Sequence, residues 1–482
     1  MKKDSDLKKI VSGSVWKFME RVFAQCITLL VSIILARMLS PDDYGIVSIV
    51  TIFFTFSNIL ISGGLNTALI QKKDANEDDY NTVFTVSMLV AIIVYFALFL
   101  VAPIIARIYN NELLVWIIRV MGIVLPVNAL KAIYCAHISS NMLFQKFFFA
   151  TIGGTLFSAV VGIAMAAKGF GAWALVAQQL SNSIIDTLIL AIIDPLCLRV
   201  KIVVERFKEL FGYGSKILIS NLIGEIYTDI NPLFVGLKYS SADLSFYTRG
   251  KVFPGAISAT ITNTLSSVLF PMLSKRQDDK NILLNYTRQF MQISSFIVFP
   301  VLLGFFAVSD NFVYIVLTEK WMSASYYIRI FCISSMFDIV AVGNCETIKA
   351  MGRSDVYLKI EIIKKVGYFI TTAVFIALSQ TPEQLAISVI VCTVIQVLVN
   401  CVPNIKLLGY RIKDQLIDLL PNFVISLGMC ICVMAIDNLD MNRVVQFALQ
   451  IIVGVIVYLI LNIITHNSSM KRMILIIKNV RR

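Results

Sequence analysis

Residues 83–105 read VFTVSMLVAIIVYFALFLVAPII, and none of these side chains is charged. An α-helix needs about 20 consecutive apolar residues to cross the hydrocarbon core of a bilayer. A helix that is apolar on every side is buried either in a large protein core or in a membrane. The segment 83–105 therefore predicts a transmembrane helix.

The composition extends this prediction to the whole chain. The 482 residues are 58% hydrophobic and 15% charged, with a mean hydropathy of +0.81, whereas soluble proteins carry about 25% charged residues. We predict an all-α polytopic membrane protein with about fourteen transmembrane helices. They cover residues 15–36, 44–70, 83–105, 113–136, 150–167, 172–193, 215–236, 252–273, 289–317, 327–348, 366–378, 385–403, 417–436 and 444–465.

Two of these spans are irregular. The span 289–317 is long and contains Pro300 and Gly304, which predict a kink or a break in the helix. The span 366–378 is too short to cross a bilayer by itself, and charged residues precede it. We expect that helix to begin earlier in the chain.

The distribution of Lys and Arg between alternate loops predicts the orientation. The loops on the side of the N-terminus carry 28 of these residues, and the loops on the other side carry 8. Because cytoplasmic loops are enriched in Lys and Arg, both termini are predicted to be cytoplasmic. The longest loop, 194–214, is too short to fold as a separate domain.

The sequence lacks the motifs that indicate several kinds of catalysis and binding. The net charge of +12 comes from short clusters between the spans, which fits anionic lipid headgroups rather than nucleic acid. The chain has no Walker A sequence and no HExxH motif, the usual signals for ATP hydrolysis and zinc catalysis. Cys430 and Cys432 form a CxC pair without a second pair. We expect no catalytic residue, no metal and no cofactor.

Two stretches about 200 residues apart suggest an internal repeat. LSPDDYG at 39–45 follows the first span, and YSSADLSFY at 239–247 follows the seventh. Both are short turns with a Ser, an Asp and a Tyr before the next helix, and transporters are often built from repeated halves. The repeat predicts a lobe at 1–193, a basic cytoplasmic linker at 194–214, a second lobe at 215–403, and two extra helices with a basic tail at 404–482.

The order of several motifs resembles one transporter family, the polysaccharide transporters (Wzx-type lipid-linked oligosaccharide flippases) of the multidrug/oligosaccharidyl-lipid/polysaccharide exporter superfamily. The motifs are GSVW at 13–16, LARMLSPDDYG at 35–45, GGL at 63–65, GAWALV at 171–176, LFPMLS at 269–274 and KAMGR at 349–353. They are distributed over most of the chain. Each motif is loose alone, but their order and spacing together are fairly specific.

The resemblance implies a fold, a location and a cargo. The fold would be MATE-like, with two six-helix lobes around a central cavity that opens alternately to each side of the bacterial cytoplasmic (inner) membrane. The cargo would be a polyprenyl-diphosphate-linked oligosaccharide repeat unit, used for capsule, exopolysaccharide or O-antigen-type polymers. Membrane lipids surround such a protein, and glycosyltransferases and a polymerase would act before and after it as partners.

A polar stripe on the first span is the main candidate for the cavity wall. At 100° per residue, Lys17, Arg21, Gln25 and Thr28 fall within about 80° of one another. A charge at bilayer depth costs about 2.5–3.5 kcal/mol on insertion scales, so it usually faces a cavity or a partner. We predict that this stripe lines an aqueous cavity, and polar packing between helices is the alternative.

The seventh span carries the matching polar face of the second lobe. Asn221, Glu225, Thr228 and Asp229 fall within about 100° of one another. The cations of the first span suit the diphosphate of the implied cargo, and the carboxylates could carry H⁺ or Na⁺. The alternative is a structural lock in which Arg21 pairs with Glu225 or Asp229.

Other charged residues within the spans complete the list of candidates. The predicted cavity cations are Lys17, Arg21, Lys216, Arg119, Lys131 and Arg329. The predicted coupling or gating residues are Glu20, Glu225, Asp229 and Asp338. Arg119 and Arg329 lie near span ends, where long side chains can also reach the interface by snorkelling.

Three other functions compete with a flippase. A multidrug or cation antiporter of the same superfamily would favour an anionic cavity, which the six intramembrane basic residues argue against. A membrane-embedded glycosyltransferase or polymerase would need a large outer loop with a catalytic acid or base, and the largest outer loop, 237–251, is too short. A passive scaffold for envelope assembly is the remaining alternative.

Overall fold

The computed structural model describes residues 2–62, 64–72, 74–141, 143–276 and 279–473. Within these ranges it describes all side chains except those of residues 2–14, 62, 227, 228, 267, 268, 270, 271 and 354. The described residues form helices and their connections, without a β-strand. This confirms the predicted all-α class.

Eighteen α-helices follow one another along the described ranges. They are α1 Lys2–Met38, α2 Pro41–Ser62, α3 Leu65–Gln71, α4 Glu77–Ile108, α5 Leu113–Met121, α6 Val124–Ser140, α7 Phe144–Ala167, α8 Ala172–Ile193, α9 Val204–Lys238, α10 Ser241–Ser274, α11 Lys280–Ala307, α12 Ser309–Phe312, α13 Ser323–Met336, α14 Asp338–Ala350, α15 Ser354–Leu378, α16 Pro382–Leu408, α17 Ile412–Ala435 and α18 Arg443–Ile464. A π-helical segment at Val313–Leu317 and two short 3₁₀ segments complete the set.

Eleven helical segments of the described ranges are long and apolar enough to cross a membrane. The long helices α9, α10 and α15 are not among these eleven, so the count of fourteen spans stays a prediction. Helix α15 begins at Ser354, which confirms the expected earlier start. Helix α11 continues through Pro300 and Gly304 to Ala307, so the break lies beyond both residues.

The chain divides into two compact units, Met1–Ser245 and Phe246–Arg482. The lobe boundaries predicted from the repeat stay a prediction. Helix α9, predicted as the first helix of the second lobe, packs on α2, α3 and α4 of the first unit.

The segment 194–214, predicted as a loop, is helical from Val204 onward. The prediction followed its charges, but Leu210 within it packs in a buried cluster with Ala68, Leu69 and Val83. Lys208 of the same segment is exposed. An amphipathic first part of α9 therefore replaces the predicted loop.

The two repeated turns have the same hydrogen-bonding pattern. The backbone N–H and hydroxyl of Ser40 donate to Asp43 Oδ2 at 3.0 and 2.6 Å. The same groups of Ser240 donate to Asp243 Oδ2 at 3.2 and 2.7 Å. Each Asp N–H in turn donates to its Ser hydroxyl. This reciprocal capping starts α2 and α10 in the same way and supports the repeat at these turns.

A buried carboxylate joins the adjoining ends of three helices of the first unit. Asp194, at the end of α8, accepts a hydrogen bond from Lys146 of α7 at 2.6 Å and contacts His137 Nδ1 of α6 at 2.7 Å. Burial acts to raise the pKa of Asp194, but the hydrogen bonds from Lys146 and His137 outweigh burial, and the pKa lies below its usual value. The cluster fixes the point at which the chain leaves α8.

We expect Asp194→Asn to lower the free energy of unfolding by about 1–3 kcal/mol, because Lys146 would lose a charged partner in a half-buried position. A carboxyl with a depressed pKa adds stability above its unfolded pKa, about 3.9, and this stability is lost as the pH falls through the native pKa. The difference between the variant and the parent should therefore be full at pH 7 and shrink below pH 4. Thermal unfolding of purified protein in detergent at a series of pH values measures it.

Asp355→Asn is the control for this variant, because Asp355 pairs with Arg353 on the exposed surface. We expect this control to change stability little, since exposed ion pairs contribute little. Equal effects of the two variants, or an Asp194→Asn effect that persists unchanged at acidic pH, would contradict the assigned role of Asp194.

Candidate functional site

Two charged residues of α1, Lys17 and Glu20, hold this helix on α7. Lys17 Nζ lies 2.5 Å from Glu20 Oε2 and 4.6 Å from the ring centroid of Phe147. The Thr151 hydroxyl donates to Glu20 Oε1 at 3.4 Å. Glu20 is buried, and Phe147 and Thr151 belong to α7. Lys17 and Glu20 therefore have a packing role in this structure, and their predicted parts in cargo binding and gating stay predictions.

The other side chains of the α1 stripe are not covered by neighbouring helices. Arg21, Gln25 and Thr28 are exposed. None of the three has a hydrogen bond or an ion pair with the part of the chain that the structure describes. An unpaired guanidinium on a membrane helix is costly unless water or an anion reaches it. This exposure argues against polar packing between helices, and the cavity wall stays a prediction.

A second ion pair lies within the same unit. Lys131 of α6 pairs with Asp186 of α8, whose carboxylate is buried. The Lys17–Glu20 pair belongs to the same unit. Sequence reasoning named Lys131 but not Asp186 as a site residue.

A hydrogen-bonded chain crosses three helices of the first unit. The Asn128 amide of α6 donates to Asn58 Oδ1 of α2 at 2.9 Å, and the Ser183 hydroxyl of α8 donates to Asn128 Oδ1 at 2.5 Å. Sequence reasoning missed these residues, because a lone Asn or Ser in an apolar span does not indicate its partner. These hydrogen bonds and the ion pairs give the unit polar contacts in its interior.

Two other predicted cavity cations are engaged by protein groups. The Arg119 guanidinium carbon lies 4.2 Å from the ring centroid of Phe99. Arg329 donates to Asp310 Oδ2 at 2.6 Å and to Ser309 Oγ at 2.9 Å. These contacts give both residues a structural partner, and their predicted part in cargo binding stays a prediction.

Helix α9 carries the other polar face. Lys216 is exposed and has no ion pair or hydrogen bond within the described ranges. Asn221 is exposed, and Glu225 and Asp229 are half-buried. The side chain of Thr228 lies outside the described residues.

The predicted lock between α1 and α9 is not formed in this structure. Arg21 makes no ion pair with Glu225 or Asp229 among the residues described. Arg21 and Lys216 are therefore the two predicted cavity cations without a protein partner in the described ranges.

One candidate carboxylate lies in the second unit. Asp338, the first residue of α14, accepts a hydrogen bond from the Ser258 hydroxyl of α10 at 2.8 Å. No basic residue of the described ranges pairs with it. A carboxylate held by one hydroxyl inside a membrane helix bundle can exchange a proton or a cation.

The two repeated turns also touch each other. The Ser241 hydroxyl donates to Asp42 Oδ1 at 2.8 Å. A methyl group added to Gly45 would overlap the carbonyl oxygen of Ser241, so glycine lets the two backbones approach. This contact joins the start of α2 to the turn after α9, on the side of the membrane that the charge distribution predicts as the outer one.

Comparisons with known proteins agree with this architecture. A family model described as polysaccharide biosynthesis protein matches residues 34–326. An uncharacterized membrane protein of the cps region of Klebsiella pneumoniae is 25% identical over 96% of this chain and 97% of its own. The teichuronic acid biosynthesis protein TuaB of Bacillus subtilis is 22% identical over 94% of this chain and 95% of its own.

Solved structures of two transporters share the fold. The lipid II flippase MurJ in an inward closed conformation superposes with a TM-score of 0.76, covering 94% of this chain and 99% of its own, at 14% identity. An inward-facing multidrug resistance MATE family transporter of the MOP superfamily gives a TM-score of 0.57 over 82% of this chain and 99% of its own, at 12% identity. The MATE-like fold and the resemblance of the sequence motifs are confirmed, and the chain belongs to the polysaccharide biosynthesis protein family.

Proposed function

We propose that this protein is a flippase that moves polyprenyl-diphosphate-linked oligosaccharide repeat units from the cytoplasmic to the outer leaflet by alternating access. The observation that carries the proposal is the pair of unpaired cations, Arg21 and Lys216, on two long helices of a membrane protein. A diphosphate is the part of such a cargo that a guanidinium recognises best, because it can accept two parallel hydrogen bonds.

The names of similar proteins support the same cargo class. TuaB is named for teichuronic acid biosynthesis, and the family is named for polysaccharide biosynthesis. MurJ, which shares the fold, is named a lipid II flippase. A polymer assembled from repeat units outside the membrane needs a carrier that brings a polar head across it, which is the role proposed for this chain.

In this mechanism the cargo head binds at the polar faces of α1 and α9 while the lipid tail stays in the bilayer. Arg21 and Lys216 hold the diphosphate, and Gln25, Thr28 and Asn221 supply hydrogen bonds to neighbouring oxygens. Release on the outer side requires the contact between Asp42 and Ser241 to open. The side chains only bind and orient the cargo, so the chain acts without catalytic residues.

The orientation, partners and driving force belong to the same proposal. Both termini lie in the cytoplasm, so the linker at 194–214 faces the cytoplasmic glycosyltransferases, and a polymerase receives the cargo outside. The coupling ion is H⁺ or Na⁺, and Asp338, Glu225 and Asp229 are its candidate carriers. Asp338 is also the observation that favours the second candidate function, a multidrug or cation antiporter, because a lone intramembrane carboxylate suits a cationic substrate.

We expect Arg21→Ala to lower surface polymer by about tenfold or more, because a lost charge-assisted contact of about 1.5–3 kcal/mol weakens diphosphate binding by that order. Lipid-linked repeat units should accumulate in the cytoplasmic leaflet. Arg21→Lys, which keeps the charge but loses the paired donors, should retain part of the activity. Polymer and precursor are measured in a strain that lacks the native protein, at matched protein level.

Arg107→Ala is the matched control, because Arg107 is exposed near the end of α4 and outside the proposed binding faces. It should leave the polymer unchanged. Normal polymer from Arg21→Ala would remove Arg21 from the transport path. If deletion of the whole protein leaves polymer and precursor unchanged, the flippase proposal fails and drug efflux becomes the function to test.

We expect Gly45→Ala to favour the state open to the outside, because the added methyl group overlaps the Ser241 carbonyl oxygen. The readout is a Gln25→Cys reporter on α1, labelled in intact cells by a membrane-impermeant maleimide, with the exposed Cys26, Cys197 and Cys432 replaced by Ser. Its labelling rate should rise several-fold. Gly212→Ala is the control, since nothing lies within 4 Å of a methyl group at Gly212. An unchanged rate with Gly45→Ala would show that this contact does not close the outer side.

A further inference from the structure

The segment between α8 and α9 binds along one face of α4. The backbone N–H groups of Arg199, Lys201 and Val203 donate to Asn81 Oδ1 at 2.7 Å, Thr85 Oγ1 at 3.1 Å and Thr82 Oγ1 at 3.1 Å. Every second residue of the segment donates, which is the spacing of an extended chain. We call residues 199–203 the strap.

The side chains that receive the strap are buried in the first unit. The exposed fractions of Asn81, Thr82 and Thr85 are 4%, 0% and 5%. A buried polar group that loses its partner costs about 1–3 kcal/mol. Releasing the strap would remove the strap partner of Asn81 Oδ1 and of the Thr82 hydroxyl, while the Thr85 hydroxyl would keep its hydrogen bond to the Asn81 carbonyl oxygen at 2.7 Å. The contacts of Asn81 and Thr82 are therefore costly to break.

Ion pairs add to this attachment, both at the strap and at the start of α9. Lys201 Nζ lies 2.6 Å from Asp78 Oδ1. Lys72, in the connection between α3 and α4, lies 3.0 Å from the fully buried Asp79 and 2.8 Å from Glu209 of α9. The Lys72 contacts therefore join the start of α4 directly to the first turns of α9.

The first part of α9 continues this attachment. Leu210 packs in the buried cluster with Leu69 and Val83. At Gly64 and Gly214 the two backbones approach so closely that a methyl group on either would overlap the other. At this end, α9 is thus held by backbone contact, apolar packing, ion pairs and the strap together.

The other end of α9 contacts α2 and the end of α4. The contacts include the exposed hydrogen bond between Ser241 and Asp42, the backbone approach at Gly45, and a hydrogen bond from the Tyr109 hydroxyl to the Leu233 carbonyl oxygen at 3.5 Å. An exposed hydrogen bond contributes less than a buried network, since water replaces it at little cost. Water can therefore replace the Ser241–Asp42 hydrogen bond when this end opens, whereas the strap binds to buried side chains.

We propose that the strap holds the inner end of α9 on α4 in both access states, so that α9 separates from α2 only at the Ser241 end. This inference rests on the proposed alternating-access function. Asn81, Thr82 and Thr85 are positioning residues, because they act on α9 through the strap and not on cargo. Lys216, close to the held end, keeps its place on α4 and its neighbours, while Glu225 and Asp229 move further with the other part of the helix.

Reversible cross-links at the two ends of α9 test this inference. One variant carries Asp78→Cys with Lys201→Cys at the strap, and the matched variant carries Asp42→Cys with Ser241→Cys at the turn. Both also carry Ser in place of the exposed Cys26, Cys197 and Cys432. Cells are treated with a short bis-methanethiosulfonate cross-linker, and new surface polymer is measured by a brief pulse of radiolabelled sugar, before and after dithiothreitol.

The strap cross-link should leave the rate of polymer synthesis within about twofold of the untreated cells. The turn cross-link should lower it at least tenfold, with recovery after dithiothreitol. Loss of activity from the strap cross-link, or a turn cross-link without effect, would overturn the inference, as would a strap pair that does not cross-link. Failure of the flippase proposal itself is recognised separately, because the deletion strain would then make normal polymer.

A second pair of variants tests whether the hydroxyl contacts hold the strap. Thr82→Val with Thr85→Val keeps the side-chain shape and removes both hydroxyls. Thr51→Val with Thr55→Val is the control, since these hydroxyls bond only to their own helix. In open membrane fragments, trypsin cleavage at Lys201 should rise at least tenfold in the first variant alone. Equal cleavage in the two variants would contradict the proposed strap.

Discussion

The hydrocarbon core of a bilayer contains no water to bind a polar group, and this constraint organises the structure. A buried charge or amide in such a medium needs a protein partner or a water-filled cavity. Within the first unit, Asp186 has Lys131, Glu20 has Lys17, and Asn128 has Asn58 and Ser183. Arg21 and Lys216 differ, because the described ranges offer them no partner. The anionic cargo of the proposed function is their expected partner.

The same constraint accounts for the polar contacts between α11 and α17 in the second unit. Asp418 of α17 is buried and accepts hydrogen bonds from Nε and Nη2 of Arg288 of α11, at 2.8 and 3.1 Å, and from the Tyr410 hydroxyl at 2.8 Å. Asn422 donates to the Ser295 hydroxyl of α11 at 2.7 Å. These polar contacts attach α17 firmly to α11. Helix α17 is thus an integral part of the second unit.

Much of the fold follows from the sequence, but the pairing of residues does not. Apolar length predicted the membrane helices, and the Ser–Asp spacing at Ser40 and Ser240 predicted two equivalent turns that the structure contains. The partner of Lys131 or Arg329 depends on which helices pack together, and no local pattern encodes that. The strap was missed because its contacts use the backbone of 199–203, and any sequence has a backbone N–H at most positions. Burial of Leu210 was likewise hidden by the charges around it.

The most direct test of the central claim is transport by the purified protein alone. Proteoliposomes would contain lipid-linked repeat units from the producing strain, with a terminal sugar that a membrane-impermeant oxidase can modify. We expect the protected fraction, about half in liposomes without protein, to become accessible within minutes when the native chain is present, and to stay protected with Arg21→Ala. A protected fraction that native protein leaves unchanged, under imposed H⁺ or Na⁺ gradients as well as without them, would contradict the flippase proposal.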